Sequence, residues 1–414
     1  MAAPPFLRVI REPNYRLFAV GFLASSTGLQ MMTTAVLWEI WLVTHDALSL
    51  GLAGLARAIP VIALALLAGH AADRHSRRAI LVITQCGFVA IAIAFAIASS
   101  RGASEWTWYA LLFASGCVRS FNGPSRNSLL PLLVKRENFE SAVTCNSGIF
   151  QASAVAGPIA AGALLGAGVR GWVVMLVSAG LILVLAVVAT RLRPRVESRA
   201  HSALTIGSML AGMGHIWKER VILATLTLDL FGVLLGGATA LLPIYADEIL
   251  GGGPTLLGWL KAAPYLGAFA MAVWLAARPR LSHAGRALLL SVAVFGLSMV
   301  VFGFSTWTWL SLLMLFASGA ADNVSVIIRH TLVQARTPNH LRGRVSAINS
   351  VFIECSNELG AFESGLVARL AGPVLSVVTG GLGTIAVVGA VAWAFPEVKR
   401  LRHLVSEEPQ PVTS

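Results

Sequence analysis

Charged residues are scarce in this chain of 414 residues, and acidic residues are the scarcer kind, with 19 Asp and Glu against 31 Lys and Arg. Together these four types make up 12% of the sequence, whereas soluble domains carry about 25%. Hydrophobic residues make up 56%, and the mean hydropathy is +0.76. This balance excludes an ordinary soluble domain and predicts several bilayer crossings, each of which needs about 20 mostly apolar residues.

Three further absences limit the class of protein that this sequence can encode. The four cysteines, Cys86, Cys117, Cys145 and Cys355, lie in apolar segments without metal-ligand spacing, so we interpret them as small buried hydrophobes and predict no metal and no cofactor. No glycine-rich phosphate loop is present, which argues against direct use of ATP. Residues 1–15 lack the apolar run of a signal peptide, so the first helix is expected to act as the insertion signal.

Breaks in hydropathy predict an all-α membrane protein with twelve transmembrane helices. The predicted segments are 15–43, 48–70, 79–100, 106–133, 139–167, 171–191, 221–246, 255–277, 286–305, 306–333, 342–370 and 373–395. Lys and Arg concentrate in alternate loops, and the other side holds little beyond Arg101, Arg170 and Arg369. The positive-inside rule therefore places both termini in the cytoplasm, and it explains the net charge of +12 better than nucleic-acid binding does.

The chain divides into two similar halves. The predicted units are an N-terminal six-helix bundle (1–191), a cytoplasmic inter-bundle loop (192–219), a C-terminal six-helix bundle (220–398) and a cytoplasmic tail (399–414). Arg126, Leu129, Asn146, Ser147 and Gly157 recur at one offset as Arg329, Leu332, Asn349, Ser350 and Gly360. Such a duplication predicts two pseudo-symmetric bundles with a substrate site at their interface near the midplane, which is the logic of transporters.

Ionisable residues at membrane depth cost about 2.5–3.5 kcal/mol each, so each needs a partner or a polar passage. The candidates are Glu39, Arg57, Arg119, Asp229, Lys261, Asp322, Glu354, Glu358 and Glu363. Arg57 and Lys261 occupy equivalent outer positions, since Arg57-Ala-Ile-Pro60 recurs as Lys261-Ala-Ala-Pro264. Two cations facing one cavity would attract an anionic or catecholate-like ligand. The alternative is that both side chains snorkel to the outer headgroups.

Arg119 and Asp322 are also equivalents, and their opposite charges at mid-depth suggest a cross-bundle or locally paired charge. Asp229 and Glu39 are further candidates, although Glu39 lies near the outer interface and could be solvated.

Glu354 and Glu358 are four residues apart and therefore share one face of the eleventh helix. Repulsion between two carboxylates in a low-dielectric region favours protonation of one of them, which suits a proton-coupling site. The alternative is a structural pair that Arg329 neutralises and Asn357 hydrogen-bonds.

The connection between the second and third segments reads Gly69-His-Ala-Ala-Asp73-Arg-His-Ser-Arg77-Arg78. It resembles the loop 2–3 signature of the major facilitator superfamily, although His70 and Ser76 depart from the usual residues. The resemblance implies that Gly69, Asp73, Arg77 and Arg78 form a cytoplasmic gate that locks the two bundles. The alternative is that the arginines only fix the topology.

Three stretches of the sequence are similar to a branch of that superfamily that includes enterobactin exporters and related bacterial efflux proteins. They are residues 6–18, Gly123-Pro-Ser-Arg126 and Arg342-Gly-Arg344-Val345. This resemblance implies a monomeric secondary transporter of the bacterial inner membrane. Its partners would be the lipid bilayer and a small amphipathic or anionic substrate, siderophore-like or drug-like, exported by alternating access with a proton gradient as the energy source. Two alternatives stay open, a lysophospholipid or other lipid translocator and a non-transporting membrane sensor of the same fold.

Overall fold

The computed structural model describes residues 9–195, 213–214, 216–277, 283–338 and 341–401. Within these ranges the structure does not describe ten side chains, those of Leu66, Ala72, Asp73, Gly343, Arg344, Ala347, Ser350, Val351, Glu354 and Cys355. Most of the predicted inter-bundle loop and most of the predicted tail therefore lie outside the described residues.

The described chain forms twelve long helices. They are α1 (Pro13–Thr44), α2 (Ala47–Arg74), α3 (Arg77–Ser100), α4 (Glu105–Leu133), α5 (Phe139–Gly166), α6 (Gly171–Arg191), α7 (Arg220–Gly236), α8 (Gly253–Ala276), α9 (Ala284–Phe304), α10 (Thr308–Arg336), α11 (Arg342–Ala371) and α12 (Pro373–Ala394). The predicted all-α architecture is confirmed. One boundary is wrong, because the seventh segment is not one α-helix: after Gly236 the chain continues as a 3₁₀ turn (Ala238–Leu241) and a π-turn (Tyr245–Ile249).

Ten described helical segments are long and apolar enough to cross a bilayer, and α4 and α11 are not among them. Both carry polar residues along their length, including Arg119 and Asn122 in α4 and Asn357 and Glu358 in α11. Helices that line a polar passage can carry such residues, because those side chains meet water or partners rather than acyl chains.

The helices α1–α6 form the N-terminal bundle and α7–α12 form the C-terminal bundle, and equivalent helices pack alike. In the N-terminal bundle α4 approaches α2 so closely that a Cβ on Gly116 would lie 2.5 Å from Pro60 Cγ. In the C-terminal bundle a Cβ on Gly319 of α10 would lie 2.5 Å from Pro264 Cα of α8. The repeat that the sequence predicts therefore recurs as a packing contact.

The bundles meet along two seams, α2 with α11 and α5 with α8. At the first seam the Cβ of any residue replacing Gly365 would lie 2.8 Å from the backbone oxygen of Ala47 and from Cα of Gly51. We call the end that carries these contacts the outer end, because the charge pattern predicts that it faces away from the cytoplasm, and the opposite end the inner end.

Burial along α5 and α8 shows that the bundles separate toward the inner end. Six of the seven buried residues of α8 lie between Leu256 and Ala263 in its outer half, and the seventh, Gly267, lies just past the middle. Those of α5 cluster between Ser153 and Gly162, also in the outer half, with Ala142 alone near the inner end. The passage between the bundles is therefore closed outside and opens inward.

The connection between α2 and α3 is shorter than expected. Helix α2 extends to Arg74 and α3 begins at Arg77, which leaves only His75 and Ser76 between them. The Ser76 hydroxyl accepts a hydrogen bond from the Ala79 amide at 3.4 Å, so serine at this place caps α3. One cysteine prediction is wrong as well: Cys86 is exposed on the bundle surface.

Candidate substrate passage

The strongest polar contact between the bundles joins Arg57 of α2 to Glu358 of α11. Arg57 Nε donates to Oε1 at 2.8 Å and Nη2 donates to Oε2 at 2.8 Å, a bidentate pair. The side chains are 23% and 10% exposed, so the pair is largely withdrawn from water. The snorkelling alternative for Arg57 is therefore wrong, because its guanidinium binds a carboxylate of the other bundle.

Lys261 lies in α8 near this pair. It is half-buried and within electrostatic range of Arg57, as expected for two cations that face one cavity. Since Glu358 already neutralises Arg57, Lys261 adds positive charge beside a neutral pair.

Tyr265 marks the point where charges from both bundles converge, and the sequence did not single it out. It lies one helical turn after Lys261 on α8, within electrostatic range of Arg57, Arg119 and Asp322. In the sequence, its place directly after Pro264 and four residues after Lys261 is the signal that could have found it. Among the described residues Arg119 and Asp322 do not form an ion pair with each other, although both side chains lie within electrostatic range of Tyr265.

A second buried ion pair lies inside the C-terminal bundle. Arg329 of α10 contacts Asp229 of α7, and their side chains are only 2% and 8% exposed. The suggestion that Arg329 neutralises the glutamates of α11 is therefore wrong, and Asn357 instead donates to the Ile353 carbonyl at 2.8 Å. Arg126, the equivalent of Arg329, lies 4.8 Å from the Phe22 ring centroid in the N-terminal bundle.

Polar contacts also close the outer end. Trp41 Nε1 of α1 donates to Asp247 Oδ2 at 2.8 Å across the bundles. Arg369 of α11 lies 3.5 Å from Asp46, which caps α2. Thr255 of α8 donates to the backbone oxygen of Gly162 at 3.4 Å. None of these six residues was a candidate from the sequence, because the partner of each lies in the other half of the chain.

The remaining candidates lie elsewhere. The Glu39 carboxylate packs against Gly171, the first residue of α6, where a helix N-terminus favours an anion. Glu363 accepts a hydrogen bond from its neighbour Ser364 at 3.4 Å. The side chain of Glu354 lies outside the described part of the structure, so its position relative to Glu358 stays a prediction.

The proposed cytoplasmic gate is described in part. Gly69 lies within α2, and the side chain of Asp73 lies outside the described residues. Arg77 Nη1 donates to the Ser128 carbonyl at 3.3 Å, and Arg78 donates to the Thr190 carbonyl near the end of α6. These contacts fasten the α2–α3 turn to its own bundle.

The passage thus carries arginines on one wall and carboxylates on the other, with an inward opening. The fold that holds this arrangement defines the class of protein. Residues 18–361 match the model of the Major Facilitator Superfamily, and the chain belongs to this family of multi-pass membrane transporters.

Curated relatives include the enterobactin exporter EntS of Escherichia coli O81 (strain ED1a). It is 24% identical over 404 residues, which cover 95% of this chain and 94% of the exporter. The Citrobacter koseri enterobactin exporter EntS is 25% identical over 403 residues, with the same coverage of both chains.

Solved structures of other transporters have the same fold. A bacterial homolog of the human lysosomal transporter Spinster, in an inward-facing and occupied conformation, aligns with a TM-score of 0.71 at 13% identity and covers 96% of this chain and 99% of its own. The D-xylose-proton symporter aligns with a TM-score of 0.69 at 15% identity and covers 93% of this chain and 99% of its own.

Proposed function

We propose that this protein is a proton-coupled exporter of a small amphipathic or anionic molecule, of the siderophore or drug type, in a bacterial inner membrane. It would act as a monomer with both termini in the cytoplasm, and it would need no cofactor beyond the proton gradient. The observation that carries the proposal is the Arg57–Glu358 pair, a cation and a titratable group joined across the two bundles at the closed end of the passage.

Charge on the two walls supports an anionic substrate. The N-terminal bundle brings Arg57 and Arg119 to the passage, and Lys261 faces them from α8. An anion arriving from the inner end would compete with Glu358 for Arg57, because both are acceptors for the same guanidinium. The names of the relatives, enterobactin exporters, fit this substrate class.

Carboxylates of the C-terminal bundle would carry the coupling proton. Glu358, Asp322 and Asp229 all lie where water is scarce, so loss or gain of a proton changes which partner each can keep. In alternating access, a proton on Glu358 would release Arg57 and loosen the outer closure.

Flux into inverted membrane vesicles tests the proposal. A pH gradient should drive accumulation of a catecholate siderophore, and an uncoupler should abolish it. The E358Q substitution should remove most of this accumulation, while E363Q, a matched change on the same helix, should leave it intact. Movement of labelled lysophospholipid but not of the siderophore would favour lipid translocation, and movement of neither, across a panel of anionic amphiphiles, would favour a sensor.

A further inference from the structure

An open groove lies on the outside of the N-terminal bundle, at the inner end of the contact between α3 and α6. Its volume is about 390 Å³, within the range of about 300–1,000 Å³ that is usual for small-molecule sites. It is lined by Ser76, Arg78, Ala79, Val82, Ile83 and Thr190. Arg78 lies at the inner end of α3, and Val82 and Ile83 follow about one turn later toward the outer end. The groove is therefore polar at one end and apolar at the other.

The equivalent place in the C-terminal bundle, between the start of α9 and the end of α12, is filled by the chain itself. There the segment Pro396–Arg400 and the following Leu401 fold back over the start of α9. The Gly285 amide donates to the Leu401 carbonyl at 3.2 Å, and Val398 is only 1% exposed. Gly285 is the second residue of α9, and a Cβ there would overlap the backbone oxygen of Val398. The absence of a side chain at this position therefore allows the segment to cover the helix end.

The N-terminal bundle has no such cover among the described residues. The second residue of α3 is Arg78, so a long side chain stands at the position equivalent to Gly285. The chain after α6 runs to α4 instead, since the Arg195 amide donates to the Leu132 carbonyl at 3.1 Å. No described residue beyond Thr190 lines the groove. One half of the duplicated fold thus closes this place with protein, and the other half leaves it open to the bilayer.

The charge around the groove is mainly positive. Arg78 donates one of its N–H groups to the Thr190 carbonyl, and an arginine has five such donors. Arg74 and Arg191 are exposed at the adjoining helix ends, while α3 and α6 contain no Asp or Glu. The one acidic residue near the start of α3 in the sequence is Asp73, whose side chain lies outside the described residues. Basic pockets of this kind between helices on the cytoplasmic side attract anionic lipid headgroups.

We propose that this groove binds one anionic phospholipid from the leaflet at the inner end. The lipid phosphate accepts hydrogen bonds from Arg78, and the first carbons of an acyl chain lie on Val82 and Ile83. Because α3 and α6 pack against α1 and α4 of their own bundle, the lipid sits behind the passage. It completes the N-terminal bundle where a protein segment completes the other one, and it is not a transported substrate. The site does not depend on the proposed function.

Native mass spectrometry of the purified, delipidated full-length protein tests the site. Phosphatidylglycerol should bind as one tight copy ahead of weaker ones. Phosphatidylcholine, which has the same phosphate but no net charge, should bind more weakly. In R78Q half-saturation should require about fivefold more phosphatidylglycerol, the loss expected for one arginine near an anionic headgroup. In A79W the arginine is kept but a large side chain fills the groove, so the tight copy should disappear.

The matched control is R286Q, which removes an exposed arginine from the third residue of α9, at the helix end that the chain covers. It should bind phosphatidylglycerol as the wild type does. Thermal unfolding in detergent gives a second readout. Phosphatidylglycerol should raise the Tm of the wild type and of R286Q more than that of R78Q or A79W, and inorganic phosphate should raise none of them.

Three results would overturn the site. Equal weakening in R286Q and R78Q would reduce the effect to general surface charge. Tight binding that survives in both R78Q and A79W, or equal binding of the two lipids by the wild type, would show that the groove does not select an anionic lipid. A Tm response to inorganic phosphate alone would make the groove a site for soluble anions.

Discussion

Equivalent helices of the two bundles pack in the same way, but they carry different charged residues. In the N-terminal bundle Arg126 rests on the Phe22 ring, and in the C-terminal bundle its equivalent Arg329 pairs with Asp229. In the described part of the structure the first arrangement places the cation on an aromatic face, and the second neutralises it with a carboxylate. The same frame thus carries Arg57 and Arg119 in one half and Glu358, Asp322 and Asp229 in the other, and the proposed coupled transport of an anion rests on this difference.

The largest effect should come from breaking the buried pair of the C-terminal bundle. The D229N substitution leaves Arg329 buried without a counter-charge, and we expect a loss of about 3–5 kcal/mol in stability. The double variant D229N/R329M should regain most of it. Thermal unfolding in detergent measures both. In contrast, R126M should cost about 1–2 kcal/mol, the contribution of a desolvated cation–π contact. Equal losses for D229N and R126M would contradict the comparison.

The second effect concerns the packing that both bundles share. In G116A and in G319A the new methyl group would lie 2.5 Å from atoms of Pro60 and Pro264 respectively. We expect a loss of about 1–3 kcal/mol from overpacking in each variant, measured as a fall in Tm. G123A is the control, because a Cβ there meets no atom within 4 Å. A fall in only one of the two halves would show that the repeat is not energetically equivalent.

The third effect concerns the contact between the bundles. E358Q keeps the shape of Glu358 but removes its charge, so the Arg57 pair should weaken. A loss of about 1.4 kcal/mol changes the ratio of closed to open states tenfold. Hydrogen–deuterium exchange in the outer segments 47–54 and 358–365 should accelerate accordingly. E363Q should leave exchange unchanged, and acceleration of equal size in that control would mean that Arg57–Glu358 does not hold the outer end.

The smallest effect should come from the outermost pair. Arg369 and Asp46 are 56% and 32% exposed and 3.5 Å apart, and exposed pairs contribute about 0–1 kcal/mol. R369Q should therefore change the Tm by little, and added salt should remove the difference between the variant and the wild type. A fall comparable to that of E358Q would show that closure depends on the surface rather than on the buried pair.

Most of the helical architecture could be predicted from the sequence, because the apolar segments and the internal repeat are visible in the sequence itself. Arg57 and Lys261 could be matched since each precedes a proline by three residues. The partner of Arg57 could not be found, since Glu358 lies 301 residues away and no local pattern joins them. Arg329 was given the wrong carboxylate for the same reason.

The account assigns substrate binding to the arginines of the N-terminal bundle and ion coupling to the carboxylates of the C-terminal bundle. The most direct test of this assignment compares two kinds of flux in the same inverted vesicles. Substrate counterflow needs binding and alternating access, whereas gradient-driven accumulation also needs the coupling ion. We predict that R119Q abolishes both fluxes and that D322N keeps counterflow but loses gradient-driven accumulation. Accumulation in D322N that equals the wild type and still collapses with an uncoupler would contradict the account.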